Sequence, residues 1–235
     1  MHKIDLPDHI LERAAILRGR SDKIFGEIAP ERTAHVVVDL QNGFMREGAP
    51  VEVPAAREIV ENVNAVSAAL RAAGGLVVYL RYTYDPDEPI GWTAWYDDTL
   101  APEIAAGQKE AFAAGALDHQ LWPALDVLEG DLIVDKTRFS GFVHGTCSLH
   151  EILSNAGIDT LIITGTLTNC CCESTARDAN QLNYRVIFAT DANATHTDEE
   201  HNATLANMAT LFADIQSTEE ICETISIGRV AEKAA

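Results

Sequence analysis

The sequence predicts an α/β fold, a three-layer α/β/α arrangement with a mostly parallel central sheet. Five apolar runs of strand length alternate with stretches of helical periodicity along the 235 residues. Each connection between these runs is long enough for a right-handed βαβ crossover. Because 47% of the residues are hydrophobic, the chain can bury one substantial core. We therefore expect an N-terminal helical extension at residues 1–30 and a single α/β domain at 31–235.

The predicted elements alternate in type along the chain. Pro7, at a first helical position, is followed by apolar residues at helical spacing and predicts a helix that Gly19 can end. Apolar runs predict buried strands at 34–40, 76–82, 131–136, 159–165 and 184–190. Helical spacing predicts helices at 59–70, 146–155 and 171–182, and a last long helix after Asp198. Residues 83–117 predict a long excursion, a kind of segment that is often functional.

Charge and cysteine content narrow the class of partner and compartment. The chain has 17 Lys and Arg against 36 Asp and Glu, a formal net charge of -19, which would repel nucleic acid and anionic membrane surfaces. Five cysteines, three of them consecutive at 170–172, make a poor disulfide framework. The N-terminal residues match neither a signal nor a transit peptide, and no apolar run approaches a membrane span. We expect a cytoplasmic protein with no nucleic-acid or membrane partner.

Polar residues follow or end three of the predicted strands. Asp39 closes the first strand, Lys136 closes the third, and the segment TLTNCCC at 166–172 follows the fourth. Because parallel strands end at one edge of a sheet, these groups should converge there. A carboxylate could take the proton of a thiol, and an ammonium next to it would lower the thiol pKa, so we expect an anionic, nucleophilic sulfur.

Three motifs make the sequence resemble the cysteine hydrolases of the isochorismatase-like superfamily over roughly residues 32–217. They are VVVDLQNGF at 36–44, DKTRFSGF at 135–142 and ITGTLTNCCCESTARDA at 163–179. The resemblance implies an isochorismatase-like fold and a catalytic triad of Asp39, Lys136 and Cys171. It also implies a cis peptide bond between Thr166 and Leu167, with the N–H groups of Leu167 and Cys171 as an oxyanion hole. The implied reaction cleaves the C–N bond of a small amide or ureide through a cysteine thioester.

The resemblance also suggests substrate contacts. The segment KTRFSGF is most similar to the ureidoacrylate and N-carbamoylsarcosine branches, which favours a linear ureide or carbamoyl compound. Residues expected to contact it are Phe44, Tyr82, Trp92, Trp95, Arg138 and Phe139. Arg138 could bind a substrate carboxylate. Alternatively, Arg138 is a structural ion-pair partner, and the aromatic residues belong to the core or a subunit interface.

A metal site is not expected, and no cofactor is implied. Nicotinamidases carry an Asp and several His residues after the second strand, whereas the segment YLRYTYDPDEPIGW here contains no histidine. His196 and His201 are five residues apart and do not share one helical face, so a cap or surface role is predicted for them. We therefore expect a metal-independent enzyme that does not act on nicotinamide.

Two alternative functions fit parts of the sequence. An isochorismatase-type vinyl ether hydrolase would use the same scaffold, although such relatives usually lack the cysteine. A non-catalytic redox sensor would use Cys170, Cys171 and Cys172, although it would need neither Asp39 nor Lys136. Otherwise Cys170 and Cys172 are predicted to be ordinary buried thiols. The resemblance further implies a homo-oligomer, either a dimer or a tetramer.

Overall fold

A sheet of six parallel strands forms the centre of the computed structural model, which describes residues 1–21 and 23–234 and the side chains as far as 228. The last residue of the predicted domain, 235, lies outside the described residues. The strands are β1 (Thr33–Val38), β2 (Leu76–Tyr82), β3 (Leu132–Lys136), β4 (Thr160–Thr166), β5 (Arg185–Ala194) and β6 (Asp214–Gln216). Their spatial order is β3-β2-β1-β4-β5-β6, so the three-layer, parallel prediction is confirmed.

Eight α-helices connect and cover these strands in the described part of the chain. They are α1 (Asp8–Arg18), α2 (Asn42–Met45), α3 (Val60–Ala72), α4 (Pro102–Ala111), α5 (Leu149–Asn155), α6 (Glu173–Gln181), α7 (Asp198–Asn207) and α8 (Thr218–Ala234). Three π-helical turns lie at Ala94–Thr99, Thr168–Cys172 and Met208–Phe212. No described helix is long and apolar enough to cross a membrane.

Two hydrophobic clusters fill the space between the sheet and its helices. Val37 of β1 faces the cluster that contains residues of α3 and α8, whereas Val36 and Val38 face the cluster with residues of α5, α6 and α7. This alternation follows from the two-residue repeat of a strand, and it explains why β1 is apolar throughout. Each fully buried Val or Leu side chain in these clusters contributes about 1.5–3 kcal/mol of transfer free energy.

The order in which the chain adds strands to the sheet changes direction between β1 and β4. It runs outward from β1 through β2 to β3, and then returns to place β4 on the other side of β1. At such a switch point the connections that follow the two strands diverge, which leaves a crevice at their carboxyl ends. Asp39 follows β1 and the Thr168–Cys172 turn follows β4, so both border this crevice.

Three parts of the sequence-based prediction are wrong or incomplete. The sixth strand, β6, was missed because its three residues form an edge strand too short to show a pattern. The helix after Asp198 is not the last, because β6 and the 17-residue helix α8 follow it. The excursion at 83–117 contains α4 and the turn Ala94–Thr99, which begins directly after Thr93.

The N-terminal helix α1 lies on the turn Met208–Phe212, where Arg18 donates hydrogen bonds to the carbonyls of Ala209 and Ala213. Only Ala14 of this helix is buried. Ile16 and Leu17 are 80% and 62% exposed, so these two apolar side chains of α1 are open to solvent in the monomer.

Candidate active site

Three side chains from separate parts of the chain meet at the carboxyl edge of the sheet. Asp39 directly follows β1, Lys136 ends β3, and Cys171 lies in the turn between β4 and α6. Lys136 Nζ donates a hydrogen bond of 2.7 Å to Asp39 Oδ2, and both side chains are fully buried. Lys136 Nζ also donates to the Arg138 carbonyl at 3.0 Å. The ion pair therefore lies in the interior, where charges are weakly screened.

Burial and mutual attraction act in opposite directions on this pair. Burial raises the pKa of the Asp39 carboxyl, and the charge of Lys136 reverses this only in part. Burial lowers the pKa of Lys136, but the neighbouring Asp39 and Cys171 more than offset that effect and raise it. Asp39 is thus a stronger base than an exposed carboxylate, while Lys136 keeps its positive charge at neutral pH.

The surroundings of the Cys171 thiol raise its pKa, which acts against the anionic sulfur that the sequence predicts. A hydrogen bond with the Cys170 thiol, and then burial, raise the pKa of Cys171 well above its usual value. The positive charge of Lys136 lowers the same pKa but is the smaller effect. This direction favours a thiol that loses its proton during the reaction and not before it.

The second oxygen of Asp39 is placed to accept that proton. Oδ2 accepts a hydrogen bond from Lys136. The buried Oδ1 accepts no hydrogen bond from any of the described residues. The Cys171 thiol is nevertheless near enough to lower the pKa of the Asp39 carboxyl. A buried carboxylate oxygen without a settled partner, next to a protonated thiol, can take the proton while the ion pair stays intact.

Backbone geometry fixes the turn that carries Cys171. Gly165 has a φ of 125°, and a Cβ there would lie 2.1 Å from the Val38 carbonyl oxygen, so glycine is needed for β4 to approach β1. The peptide bond between Thr166 and Leu167 is cis. The Leu167 carbonyl accepts hydrogen bonds from the backbone N–H groups of Cys170 and Cys172, at 3.1 Å each. The N–H of Cys171 takes no part in these two bonds.

A buried histidine holds the same turn from the side of α7. His201 Nε2 lies 2.9 Å from the Thr190 carbonyl and donates to it, so Nδ1 accepts from the Thr168 hydroxyl at 2.9 Å. Burial lowers the pKa of His201 to about 4, which keeps the ring neutral. The predicted cap or surface role is wrong for His201, which is fully buried, whereas His196 is exposed.

A cavity of about 560 Å³ opens beside Cys171, a size typical of small-molecule sites. Four of the residues expected to contact substrate line it, namely Phe44, Tyr82, Trp95 and Phe139. Sequence reasoning missed several other lining residues, among them Glu52, Gln108, Phe112 and Asn169. No residue-level signal marked these, because their positions depend on the paths of loops. Cys170 also lines the cavity and is only partly buried, unlike the ordinary buried thiol predicted.

Two expected substrate contacts lie elsewhere. Trp92 does not line the cavity; its ring packs behind Trp95 and Phe139, at centroid distances of 5.7 and 4.8 Å. Arg138 takes the structural role that the sequence left open. Its Nη2 donates to Glu88 Oε2 at 2.8 Å, and its guanidinium lies 5.0 Å from the Trp92 ring. Arg138 therefore fastens the excursion to the sheet and is not available to a carboxylate in the cavity.

Gln41, which the sequence analysis did not single out, connects the strands beneath the site. Its side chain donates to the carbonyls of Tyr82 and His119 and accepts the N–H of Tyr82 at 2.7 Å. The fully buried amide thereby joins the ends of β1 and β2 to the loop that precedes β3. Its place within the motif VVVDLQNGF is the signal that could have identified it.

Metal binding finds no support in side-chain geometry. Across the described chain, no group of three or more His, Cys, Asp or Glu residues is arranged to hold a metal ion. The absence of a metal requirement stays a prediction, and its test is given below.

The sequence and the fold are similar to those of known hydrolases. A family model for the isochorismatase domain matches residues 33–220. Ureidoacrylate amidohydrolase RutB from Pseudomonas savastanoi pv. phaseolicola is 34% identical over 95% of this chain and 94% of its own length. RutB from Klebsiella pneumoniae subsp. pneumoniae is also 34% identical, over 84% of this chain and 89% of its own.

Solved structures give the same picture. A cysteine hydrolase from Pseudomonas syringae pv. phaseolicola superposes with a TM-score of 0.76 at 30% identity, covering 86% of this chain and 95% of that one. N-carbamoylsarcosine amidase from Thermoplasma acidophilum superposes with a TM-score of 0.64 at 26% identity, covering 80% and 97%. Both matches span most of the chain.

Proposed function

The chain belongs to the isochorismatase family, and from that premise we propose that it is an amidohydrolase that cleaves the C–N bond of a small linear amide or ureide. One observation carries the proposal. The buried Asp39–Lys136 ion pair lies next to the Cys171 thiol at a cavity of substrate size. A base, a fixed positive charge and a nucleophile together are what acyl transfer to sulfur requires.

In the proposed reaction, Asp39 relays one proton in each of two half-reactions. Asp39 Oδ1 accepts the thiol proton as Cys171 Sγ attacks the substrate carbonyl carbon. Asp39 then returns the proton to the departing nitrogen, the C–N bond breaks, and ammonia or an amine leaves a thioester on Cys171. Asp39 then accepts a proton from water, whose oxygen attacks the thioester carbon. The C–S bond breaks, the acid product leaves, and Asp39 gives the proton to the departing sulfur, which restores the thiol. Lys136 stays positively charged throughout and stabilises the negative charge as it moves between oxygen and sulfur.

Backbone N–H groups are proposed to bind the oxyanion of the tetrahedral intermediate. Leu167 and Cys171 are the candidates, because the turn Thr168–Cys172 begins directly after Leu167 and Cys171 lines the cavity. Preorganised donors of this kind stabilise negative charge where it develops, and the loss of one typically costs about 10²–10³-fold in kcat.

An ammonia-release assay over a panel of amides tests the proposed function. The panel contains ureidoacrylate, N-carbamoylsarcosine, biuret, maleamate, simple alkylureas and nicotinamide. We expect at least one linear amide or ureide to be hydrolysed with a kcat/KM about tenfold or more above that of nicotinamide, because pocket contacts discriminate by at least this much. Failure of every linear amide to release ammonia would contradict the proposal.

The same assay separates the two alternative functions. Cys171 argues against vinyl ether hydrolysis, because that chemistry needs no sulfur nucleophile. The hydrogen bond between Cys170 and Cys171 is the one feature that favours a thiol sensor. Pre-treatment with peroxide should abolish ammonia release if Cys171 is catalytic, whereas a sensor would show reversible thiol oxidation without turnover of any amide.

Removal of metal ions should leave the activity unchanged. The enzyme is purified without added ions, dialysed against EDTA and assayed with the best substrate, and its metal content is measured in parallel. We expect kcat within about twofold of the untreated enzyme, since a protein thiolate supplies the nucleophile. Stoichiometric zinc, together with loss of turnover on chelation that zinc restores, would refute metal independence.

Compartment and assembly belong to the same proposal. All five cysteines are free, which suits a reducing cytoplasm. The open apolar side of α1, with Ile16 and Leu17, supports a homo-oligomer in which this helix packs on a neighbouring subunit.

A further inference from the structure

We infer that the cavity beside Cys171 selects uncharged amides or ureides with an apolar substituent and disfavours those that carry a carboxylate. The inference rests on the proposed function for the reaction itself. It concerns the part of the substrate beyond the reacting C–N bond. It follows from the residues that line the cavity and from the ion pairs that the nearby cations already form.

Five Phe, Tyr and Trp rings among the described residues line the cavity, and they pack against one another in two groups. Phe44 and Phe112 lie 4.9 Å apart, and Phe112 contacts Tyr82 edge-on at 5.2 Å. On another side Trp95 and Phe139 lie 5.0 Å apart. Rings held in this way offer a rigid apolar surface, so an apolar substituent gains transfer free energy on binding without having to order the wall.

The ionised group on the wall is negative. Of the described residues that line the cavity, none is Lys or Arg, and one, Glu52, is acidic. A hydrogen bond from the Gly48 N–H, followed by one from Arg57, lowers the pKa of Glu52, so it is a carboxylate at neutral pH. A substrate carboxylate would lose hydration in the cavity, where the Glu52 carboxylate already takes Arg57 as its partner at 2.8 Å and none of the described lining residues is a Lys or Arg that could receive a second one.

Cations near the cavity are already committed. Lys136 is paired with Asp39, and Arg138 with Glu88. Lys109 Nζ lies 4.9 Å from the Tyr96 ring centroid and 3.6 Å from Asp97. None of these three lines the cavity. The exposed His196 is the remaining lining residue, within the described chain, that gains positive charge on protonation.

Neutral amides supply the polar contacts instead. The Gln108 Oε1 accepts the indole N–H of Trp95 at 3.3 Å, and the Asn169 Oδ1 accepts the Thr195 hydroxyl at 2.7 Å. With their oxygens engaged, both side chains keep N–H donors, and the exposed Asn169 can offer its own to an uncharged carbonyl. This set matches the polar groups of an amide or urea.

A pair of ureides of equal shape tests the inference by turnover. N-isopentylurea and 3-ureidopropanoate differ only in that an isopropyl group replaces a carboxylate. We expect kcat/KM for ammonia release to be about tenfold or more higher for N-isopentylurea, because a carboxylate would lose hydration in the cavity without gaining a cationic partner. Equal values, or a preference for 3-ureidopropanoate, would overturn the inference while leaving the proposed amidohydrolase function intact.

Alkylation of Cys171 gives a second readout that does not depend on turnover. Iodoacetamide and iodoacetate have the same shape, and each transfers its methylene carbon to sulfur with loss of iodide. Peptide mass spectrometry follows the rate at Cys171, and each rate is divided by that of free cysteine. We expect iodoacetamide to be favoured about tenfold or more, with a smaller gap at high salt. A ratio near one, or labelling by neither reagent, would overturn the inference.

Two variants identify the source of the discrimination. Glu52→Gln keeps an acceptor for the Gly48 N–H, removes the negative charge and leaves Arg57 without its ion-pair partner. The iodoacetamide preference at Cys171 should therefore shrink by about threefold or more. In His196→Gln the preference should persist, because the binding of a carboxylate does not depend on a positive charge at His196. A preference unchanged in Glu52→Gln, or lost in His196→Gln, would contradict the electrostatic explanation.

Discussion

Replacement of Cys171 with alanine is expected to lower kcat/KM for the best ureide by about 10⁴-fold or more, because the route through a thioester is closed. Asp39 cannot take over as nucleophile, since its carboxylate is fully buried and bonded to Lys136. Ammonia release measures turnover, and mass spectrometry of rapidly quenched enzyme measures the acyl adduct. Both signals should disappear together in Cys171→Ala.

The neighbouring thiols provide matched controls for this result. Cys222→Ala removes one sulfur from α8, outside the cavity, and should leave turnover unchanged. Cys170→Ala is the sharper comparison, because the pKa of Cys170 is lowered and it too lines the cavity. We expect kcat/KM of Cys170→Ala to stay within about tenfold of wild type. The pKa of Cys171, measured from the pH dependence of its alkylation rate, should fall, because the hydrogen bond with Cys170 that raises it is gone. If Cys170→Ala lost the acyl adduct while Cys171→Ala stayed active, the nucleophile would be Cys170 and not Cys171.

The central strands were predictable because their own residues are enough to indicate a buried strand. β1, β2 and β4 are buried on both faces, so their sequences are nearly continuous apolar runs bounded by polar or turn residues. The edge strand β6 has no such run, since its burial depends on the loop and helix that follow it. Prediction of Asp39 and Lys136 as neighbours succeeded for a related reason, because strand order alone brings both residues to one sheet edge.

The remaining features of the site depend on distances that sequence order does not encode. Arg138 is paired with Glu88, fifty positions earlier, because the excursion folds back over β3. His201 looked polar and exposed within a run of acidic residues, yet the first turn of α7 carries it under the turn that holds Cys171. The anionic state of Cys171 was predicted from the nearby carboxylate of Asp39 and the positive charge of Lys136. The opposing effects, burial and the Cys170 hydrogen bond, become visible only with coordinates.

The Asp39–Lys136 pair should be the most sensitive point of the fold as well as of the reaction. Replacing Lys136 with methionine leaves a fully buried carboxylate without its counter-charge, a change that typically costs about 3–5 kcal/mol in the free energy of unfolding. Activity should fall below detection, because Asp39 will bind a proton and can no longer accept one from Cys171. Urea unfolding and the ammonia assay measure the two effects separately.

The pH dependence of the same variant has a defined sign. Without Lys136, the pKa of Asp39 in the folded state rises further above the unfolded value of about 3.9, because burial is no longer opposed. The folded state then holds more protons than the unfolded state, so the free energy of unfolding of Lys136→Met, relative to wild type, falls as pH rises above about 4. A variant that loses more stability at low pH than at neutral pH would contradict this.

Two further variants separate charge from packing. Lys109→Met makes the same chemical change at a partly exposed lysine 3.6 Å from Asp97, where the loss should be below about 1 kcal/mol. Adding Asp39→Asn to Lys136→Met removes the unpaired charge, and most of the stability should return while activity stays absent. Recovery of stability without recovery of turnover would mean that the fold tolerates a neutral site but the reaction does not. If the double variant were as unstable as Lys136→Met, the lost stability would come from packing around the lysine chain and not from the buried charge.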